Sequence, residues 1–496
     1  MNYLQTGNRY ARWLTASTLF YLLFPFLLFL AGWIRLLYAI PACFFLLISA
    51  YYTLKQTRSD VVKPVPISYQ IGVLLLATYW CLTAGLGEWM PQTTDFYKHN
   101  LILADLIRFD WPVRYKQPGE PFLCYYLAFY LPIALAGKLT GLDYVPIVSF
   151  LWSLGGLFII FNWILAIGGS YRLGALVGFG FLSGFHVIRL AVNKLFALTP
   201  VSLYKSLPPL VYYPYTIKQW LYIPQQAMGA WLVMGWVYVD LFQRKRYNSV
   251  LFICSLGLFY SPFAIIGLAP LVIAAFPSSW RQFISIPNFI GVPILLFFLG
   301  GYYSAHYPLK ANGWNIPRTN TEMGFLMNTV CTDILLPFLI VWYVHRHYKS
   351  LTTQQMAFMA IASLMKFILV FYYVGYHNDL LMSASITMSV LFFILMGISL
   401  QQASELSSAT RVIRFISISL IIVSCLPLYM HVYLFIDPPE TRRYAEIAPR
   451  MSKTVGYTIN DLNKFMHYRF KPNAYYDFSK QYIGDPNHFF NRYMLK

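Results

Sequence analysis

GEWMPQTTDFYKHNLILADLIRFDWPVRYKQPGEP, residues 87–121, is a charged interruption between two charge-free runs, Ser68 to Leu86 and Phe122 to Ala136. Asp95, Lys98, His99, Asp105, Arg108, Asp110 and Arg114 all fall within it. In a soluble domain such a density would be ordinary, because about a quarter of the residues are charged. Here only 11% of the 496 residues are charged and 58% are hydrophobic, so the loop is an exception within an integral membrane protein. Apolar runs of about 20 residues, enough to cross a hydrocarbon core of roughly 30 Å, recur on both sides of it. Backbone in lipid must satisfy its own hydrogen bonds, which makes the fold class all-α: a polytopic transmembrane bundle of about 11–14 helices.

The formal charge is +19, but its Lys and Arg residues are scattered among loops and the tail. Anionic headgroups and a positive-inside topology account for them, and no nucleic-acid partner is expected. Cys43, Cys81, Cys124, Cys254, Cys331 and Cys425 lie in or beside apolar runs with no C-x-x-C pair, and they read as core thiols. Arg9 and Arg12 precede an apolar run, Trp13 to Trp33, that is too long for a signal-peptide core and is expected to be a retained first span. No P-loop, dinucleotide fingerprint, H-E-x-x-H or G-x-S-x-G motif stands in a supporting context, which counts against ATP-driven pumping and zinc hydrolysis.

Spans are expected near Trp13 to Trp33, Leu36 to Leu54, Ser68 to Leu86, Phe122 to Ala136, Pro146 to Gly168, Gln226 to Phe242, Ile286 to Tyr303, Phe325 to Val344, Met356 to Tyr373, Leu380 to Leu400 and Ile416 to Phe435. The basic loops at Lys55 to Lys63, Arg244 to Arg246, Arg346 to Lys349 and Arg411 to Arg414 belong inside, which puts residues 87–121 outside. Val250 to Phe276 is too long for one upright crossing and carries Tyr260-Ser261-Pro262 in its middle, so two short helices are expected there. Leu173 to Leu190, broken by Gly178, Gly180 and Gly184, must be a hairpin or re-entrant piece for the same parity. Three organisational units follow: an N-terminal hairpin (1–67), a membrane core (68–436) and an outer-face tail (437–496) that packs back through its aromatic residues.

Within the first loop, Thr93 or Thr94 can cap a helix with Asp95 in its favourable first turn. Phe96, Leu103 and Ile107 form an apolar stripe beside Lys98, Asp105 and Arg108, the pattern of an amphipathic helix lying at the interface. A carboxylate at the mouth of an outer cavity can take a proton from an acceptor hydroxyl while nearby cations neutralise a phosphate leaving group. The plainer reading of Asp95 is a capping, solubilising charge. Asn378-Asp379 is either a binding pair or a simple turn. Gln225 and Gln226, after Pro224, serve substrate or helix packing equally well. Lys205 and Lys218 lie among tyrosines that suit an interface belt or sugar stacking.

The order of span, acidic loop (QTTDFYKHN, residues 92–100) and LCYYLAFYLPIALAGK (residues 123–138) resembles the GT-C superfamily of glycosyltransferases. WPVRY at Trp111, YIPQQAMGAWL at Tyr222 and HNDLLMSAS at His377 look like segments of bacterial membrane proteins of that type, and the resemblance spans roughly residues 68 to 400. It departs at Asp95, which is followed by Phe96 rather than a second acid, and at Ser383, where a basic residue commonly follows the methionine. The resemblance implies a GT-C-type bundle with interfacial helices in the first outer loop, in a bacterial cytoplasmic membrane. It implies sugar transfer from a polyprenyl-phosphate carrier to a glycan, lipid or protein acceptor on the outer face. Asp95 is then the general base, and Lys98, His99, Asp105, Arg108, Arg114, Lys205, Gln225, Gln226, His377, Asn378 and Asp379 are the substrate-binding candidates. The lipid-linked sugar is the donor substrate, membrane lipids surround the protein, and the need for a divalent cation is left open. Two rivals stand beside this reading: a transporter or flippase, which should carry charges near the bilayer midplane, and a non-catalytic assembly subunit.

Overall fold

A computed structural model describes residues 3–56, 64–90, 92–93, 95–116, 120–180, 188–189, 192–193, 195–196, 216–275, 280–307, 312–317, 319–375, 378–405, 419, 457–459 and 478–496. The expected span from Ile416 to Phe435 lies outside these residues. The helices are α1 (Tyr3–Trp33), α2 (Leu36–Gln56), α3 (Ile67–Thr83), α4 (Phe96–Arg108), α5 (Tyr130–Thr140), α6 (Val145–Gly168), α7 (Arg172–Gly180), α8 (Thr216–Tyr222) and α9 (Pro224–Tyr238). They continue with α10 (Val250–Gly257), α11 (Pro262–Ile266), α12 (Ala269–Ala275), α13 (Val292–Ser304), α14 (Asn320–Val330), α15 (Leu336–Tyr348), α16 (Thr353–Leu369), α17 (Asp379–Glu405) and α18 (Phe489–Tyr493). Among the described residues six helical stretches are long and apolar enough to cross a membrane: Arg9–Trp33, Leu36–Lys55, Leu142–Gly168, Pro287–Ser304, Asn320–Tyr348 and Asp379–Glu405. The chain is a helical, multi-pass membrane protein.

Helix α17 is buried along most of its length, and its polar side chains bond inward, as in Thr387 Oγ1 to the Ala264 carbonyl (3.1 Å). Helix α7 lies against it with almost no gap. A Cβ on Gly178 would sit 2.2 Å from the Phe393 carbonyl oxygen, and one on Gly397 would sit 2.0 Å from the Gly174 oxygen. Gly174 and Gly178, four apart on one helix face, therefore make a small-residue groove that lets two backbones touch. The sequence reading of Gly178 as a helix break is thereby corrected. Residues 181–187 lie outside the described residues.

The run from Val250 breaks where its sequence indicates. Ser261 caps α11 by accepting from the Ala264 amide, and Pro262 takes the first helical position, where a missing N–H does no harm. The expected span at Phe122 to Ala136 is different. Phe122–Leu123 is a strand (β1) paired antiparallel with Ile483–Gly484 (β4), and helix begins only at Tyr130. A second small sheet pairs Asn312–Trp314 (β2) with Tyr372–Val374 (β3).

Residues 478–496 bind one end of the bundle together. The Leu495 carbonyl accepts from Arg35 Nε (2.9 Å), the Lys496 amide donates to the Trp33 carbonyl (2.9 Å), and the Asp485 amide donates to the Ala305 carbonyl (2.7 Å). The ends of α1 and α13, the first loop and β1 thus share one strap. Lys245, Arg346 and Lys349 gather at the opposite end, where Lys245 bonds Gln354.

Candidate functional site

Helix α4 is the base of the site, and its setting corrects the interfacial-helix reading. Ten of its residues, from Phe96 to Leu106, are buried, including His99, Asn100 and Asp105. The helix is enclosed by protein rather than lying on lipid. Thr93 does not cap it, because its hydroxyl donates to the Leu221 carbonyl (2.9 Å) and so ties the loop to α8. Asn100 donates to Gln92 (2.8 Å), which donates to the Gly85 carbonyl (3.1 Å) at the end of α3.

Asp95 and Lys98, one helical turn apart, form an ion pair of 3.0 Å and keep 34% and 21% of their side chains accessible. Burial alone would push the Lys98 amine down, but the Asp95 carboxylate, joined by Tyr482 and Tyr125, raises it on balance. Lys98 is therefore a firm cation. Beside it, burial and then the Lys98 charge push His99 down to about 3. A neutral His99 must donate from Nε2 to the Tyr222 carbonyl (3.1 Å), since a carbonyl can only accept, so Nδ1 accepts from the Tyr130 hydroxyl (2.6 Å).

Three further elements face this pair. After β1 the chain bends, held by Cys124 N–H to the Tyr482 carbonyl (2.8 Å) and Tyr125 N–H to Tyr302 Oη (3.0 Å). Successive residues of a strand point to opposite faces. Because the strand has ended, Tyr125 and Tyr126 turn to the same side and stack at 4.6 Å. From α9, Gln226 Oε1 accepts from Ser383 (2.7 Å) and Ser261 (3.1 Å), binding three helices together. Its neighbour Gln225 is 1% exposed, and neither of its amide atoms closes a hydrogen bond of normal geometry although the Tyr125 hydroxyl lies beside it.

From the start of α17 come Asn378 and Asp379. Asn378 takes a left-handed conformation (φ 55°) and offers Oδ1 to the Leu381 amide (3.4 Å), while Asp379 folds over Gly375 so closely that a Cβ there would lie 1.9 Å from Oδ2. Gly375 (φ 83°) is what this turn requires. Burial pushes the Tyr125 hydroxyl up; Lys98 and Gln225 oppose that, and Asp379 and Asp95 reinforce it, so all of these groups lie within electrostatic reach of one ring.

Asp95, Lys98, Gln225 and Asp379 thus all act on the Tyr125 hydroxyl, and His99, Gln226 and Asn378 are their neighbours in the chain. Other candidates are engaged elsewhere. Arg108 donates to the Tyr457 carbonyl (3.1 Å), and Arg114 to the Lys496 carbonyl (3.1 Å). Buried Asp105 accepts from the Tyr115 hydroxyl and the Ile459 amide, each at 2.9 Å, so it anchors the tail to α4. Lys205 and His377 lie outside the described residues. No group of three His, Cys, Asp or Glu side chains gathers among the described residues.

Lys218 was weighed from the sequence among belt or sugar-stacking tyrosines, whereas Arg189, Asp333 and Lys366 escaped that reading. Lys218 on α8 is half-buried beside Tyr222 (5.4 Å to the ring); burial and then Arg189 push its amine down, partly opposed by Asp95. Arg189 in turn pairs with Asp333 (2.5 Å), whose backbone carbonyl accepts from Lys366 Nζ (3.2 Å). Asp333 sits in a π-helical turn, Cys331–Leu335, in the middle of the apolar stretch Asn320–Tyr348. A lone acid in CTDILLP and a lone lysine in SLMKFIL were the available signals, since an ionisable residue inside a span is costly without a partner. Compared with protein families, curated proteins and solved structures, the chain matches none.

Proposed function

We propose that the chain is a membrane glycosyltransferase that moves a sugar from a polyprenyl-phosphate carrier to an acceptor on the outer face. The observation that supports this reading is the partly accessible Asp95–Lys98 pair, which together with Gln225 and Asp379, from three separate parts of the sequence, acts on the Tyr125 hydroxyl. In an inverting transfer the acceptor oxygen attacks the anomeric carbon, its proton passes to Asp95, and the bond from that carbon to the carrier phosphate breaks. The departing phosphate is stabilised by cations. Arg108 and Arg114 already serve tail carbonyls, so Lys98 and Lys218, the cations that act on or respond to Asp95, take that role. Gln225 and Asp379 supply acceptors and donors for sugar hydroxyls. The test is rescue of a deletion strain's surface-glycan profile at matched membrane levels by wild type, Asp95→Asn and Lys98→Met, where only wild type should restore it.

One observation favours a second reading, a transporter or flippase for a lipid-linked or hydrophilic substrate. Asp333 lies in the middle of a span, paired with Arg189 and bonded through its carbonyl to Lys366, as coupling charges of transporters are placed. Full glycan rescue by Asp95→Asn together with loss of rescue in Asp333→Asn would favour it.

A further inference from the structure

The polar half of the site is now assigned, and its aromatic half has no role in the reaction as written. Tyr125 and Tyr126 stack with their planes 26° apart and are only partly covered. Tyr303 meets Tyr126 in a T-shaped contact at 5.9 Å. Tyr482, delivered by the residue before β4, packs on Tyr125 at 4.9 Å and is 6% exposed. Gly484 is pressed so closely on Phe122 that a Cβ would lie 2.6 Å from its ring, which fixes the register of β4 and with it the position of Tyr482. Four tyrosines thus form a partly accessible aromatic wall beside the Gln225 amide, which acts on the Tyr125 hydroxyl. A pyranose offers the complementary surface, an apolar face of axial C–H groups and a rim of hydroxyls.

We propose that Tyr125 and Tyr126, buttressed by Tyr303 and Tyr482, are the stacking platform for the hexopyranose ring of the substrate, with Gln225 and Asp379 at its hydroxyl rim. The tail strand is accordingly part of the sugar site and not only a strap on the bundle. This inference rests on the sugar-transfer reading above but concerns binding, not turnover.

The experiment is saturation-transfer NMR on the full-length protein in a polyoxyethylene detergent that contains no sugar, with methyl glucopyranoside, galactopyranoside, mannopyranoside and N-acetylglucosaminide as probes. At least one probe should receive saturation on the C–H protons of one face. Tyr126→Ala should weaken its binding about fivefold, the size of a lost aromatic contact, whereas Tyr126→Phe, which keeps the ring, should bind within about twofold of wild type. Tyr482→Ala should weaken it as well. Absence of transfer to every probe, or equal weakening in Tyr126→Phe and Tyr126→Ala, overturns the platform. Wild-type binding by Tyr482→Ala overturns the tail's part in it. If probes bind as expected while Asp95→Asn rescues glycan synthesis fully, the catalytic assignment fails and the platform stands.

Discussion

Two sets of charges in this molecule live under opposite conditions. Asp95 and Lys98 pair at 3.0 Å with 34% and 21% of their side chains accessible. Arg189 and Asp333 pair at 2.5 Å with 3% and 9% accessible, and Lys366 beside them is 4% exposed. An accessible pair is held weakly, by about 0–1 kcal/mol, and a substrate can take its place. A sealed pair must stay paired, because removing one partner strands a charge in a medium that solvates it poorly. The π-helical turn at Asp333 frees a backbone carbonyl, which Lys366 then satisfies. Asn328 adds bonds to the Arg189 carbonyl (3.1 Å) and to Asn193 (2.8 Å), so the sealed set fastens Arg189 and Asn193 to α14. The first set suits chemistry, and the second suits holding helices in place beside it.

The contrast can be broken at several points. Asp333→Ala should lower stability by about 3–5 kcal/mol, read as thermal unfolding of the purified protein in detergent. A near-neutral result would mean that the sealed pair holds nothing. Gly178→Val, which drives a side chain into the Phe393 carbonyl, should cost about 1–3 kcal/mol in the same assay. His99 tests the border between the two regions. Its folded value of about 3 lies below the ordinary 6.5, so on acidification the unfolded chain gains a proton that the folded chain refuses. Stability is intact above pH 6.5 and declines below it, by about 1.4 kcal/mol at pH 5.5. His99→Gln should flatten that decline, and an unchanged pH profile would contradict the assignment. Asp95→Asn should shift stability least, by under about 1 kcal/mol, since its pair is accessible.

The sequence made the membrane class legible because a span is a long, uniform signal. Helix α6 (Val145–Gly168) and α17 (Asp379–Glu405) fall where hydropathy places them. The break at Ser261-Pro262 was legible as well, since capping and proline chemistry are local. Burial of α4 was not. Its polar residues read as a solvated face, yet His99 and Asp105 are inside because their partners, Tyr130, Tyr222, Tyr115 and Ile459, come from elsewhere in the chain. A two-residue strand such as β1 carries no periodicity, so its distant pairing with β4, in the register Phe122 to Gly484 and Leu123 to Ile483, has no sequence signature. Asp95 was legible as a lone acid at a helix start; that Gln225 and Asp379 act with it on Tyr125 depends on how α9 and α17 pack. Arg108 and Arg114 were misleading for the converse reason, since a surface arginine gives no sign that a tail carbonyl will claim it.

The central claim is that Asp95 does chemistry at an accessible pair. Its most direct measurement is the surface-glycan profile of a deletion strain carrying wild type or Asp95→Asn at equal membrane levels, with thermal unfolding of both proteins as a control. Glycan restored by wild type alone, with the two proteins equally stable, is the predicted result. Equal restoration by both would contradict it and move the function to transport or assembly.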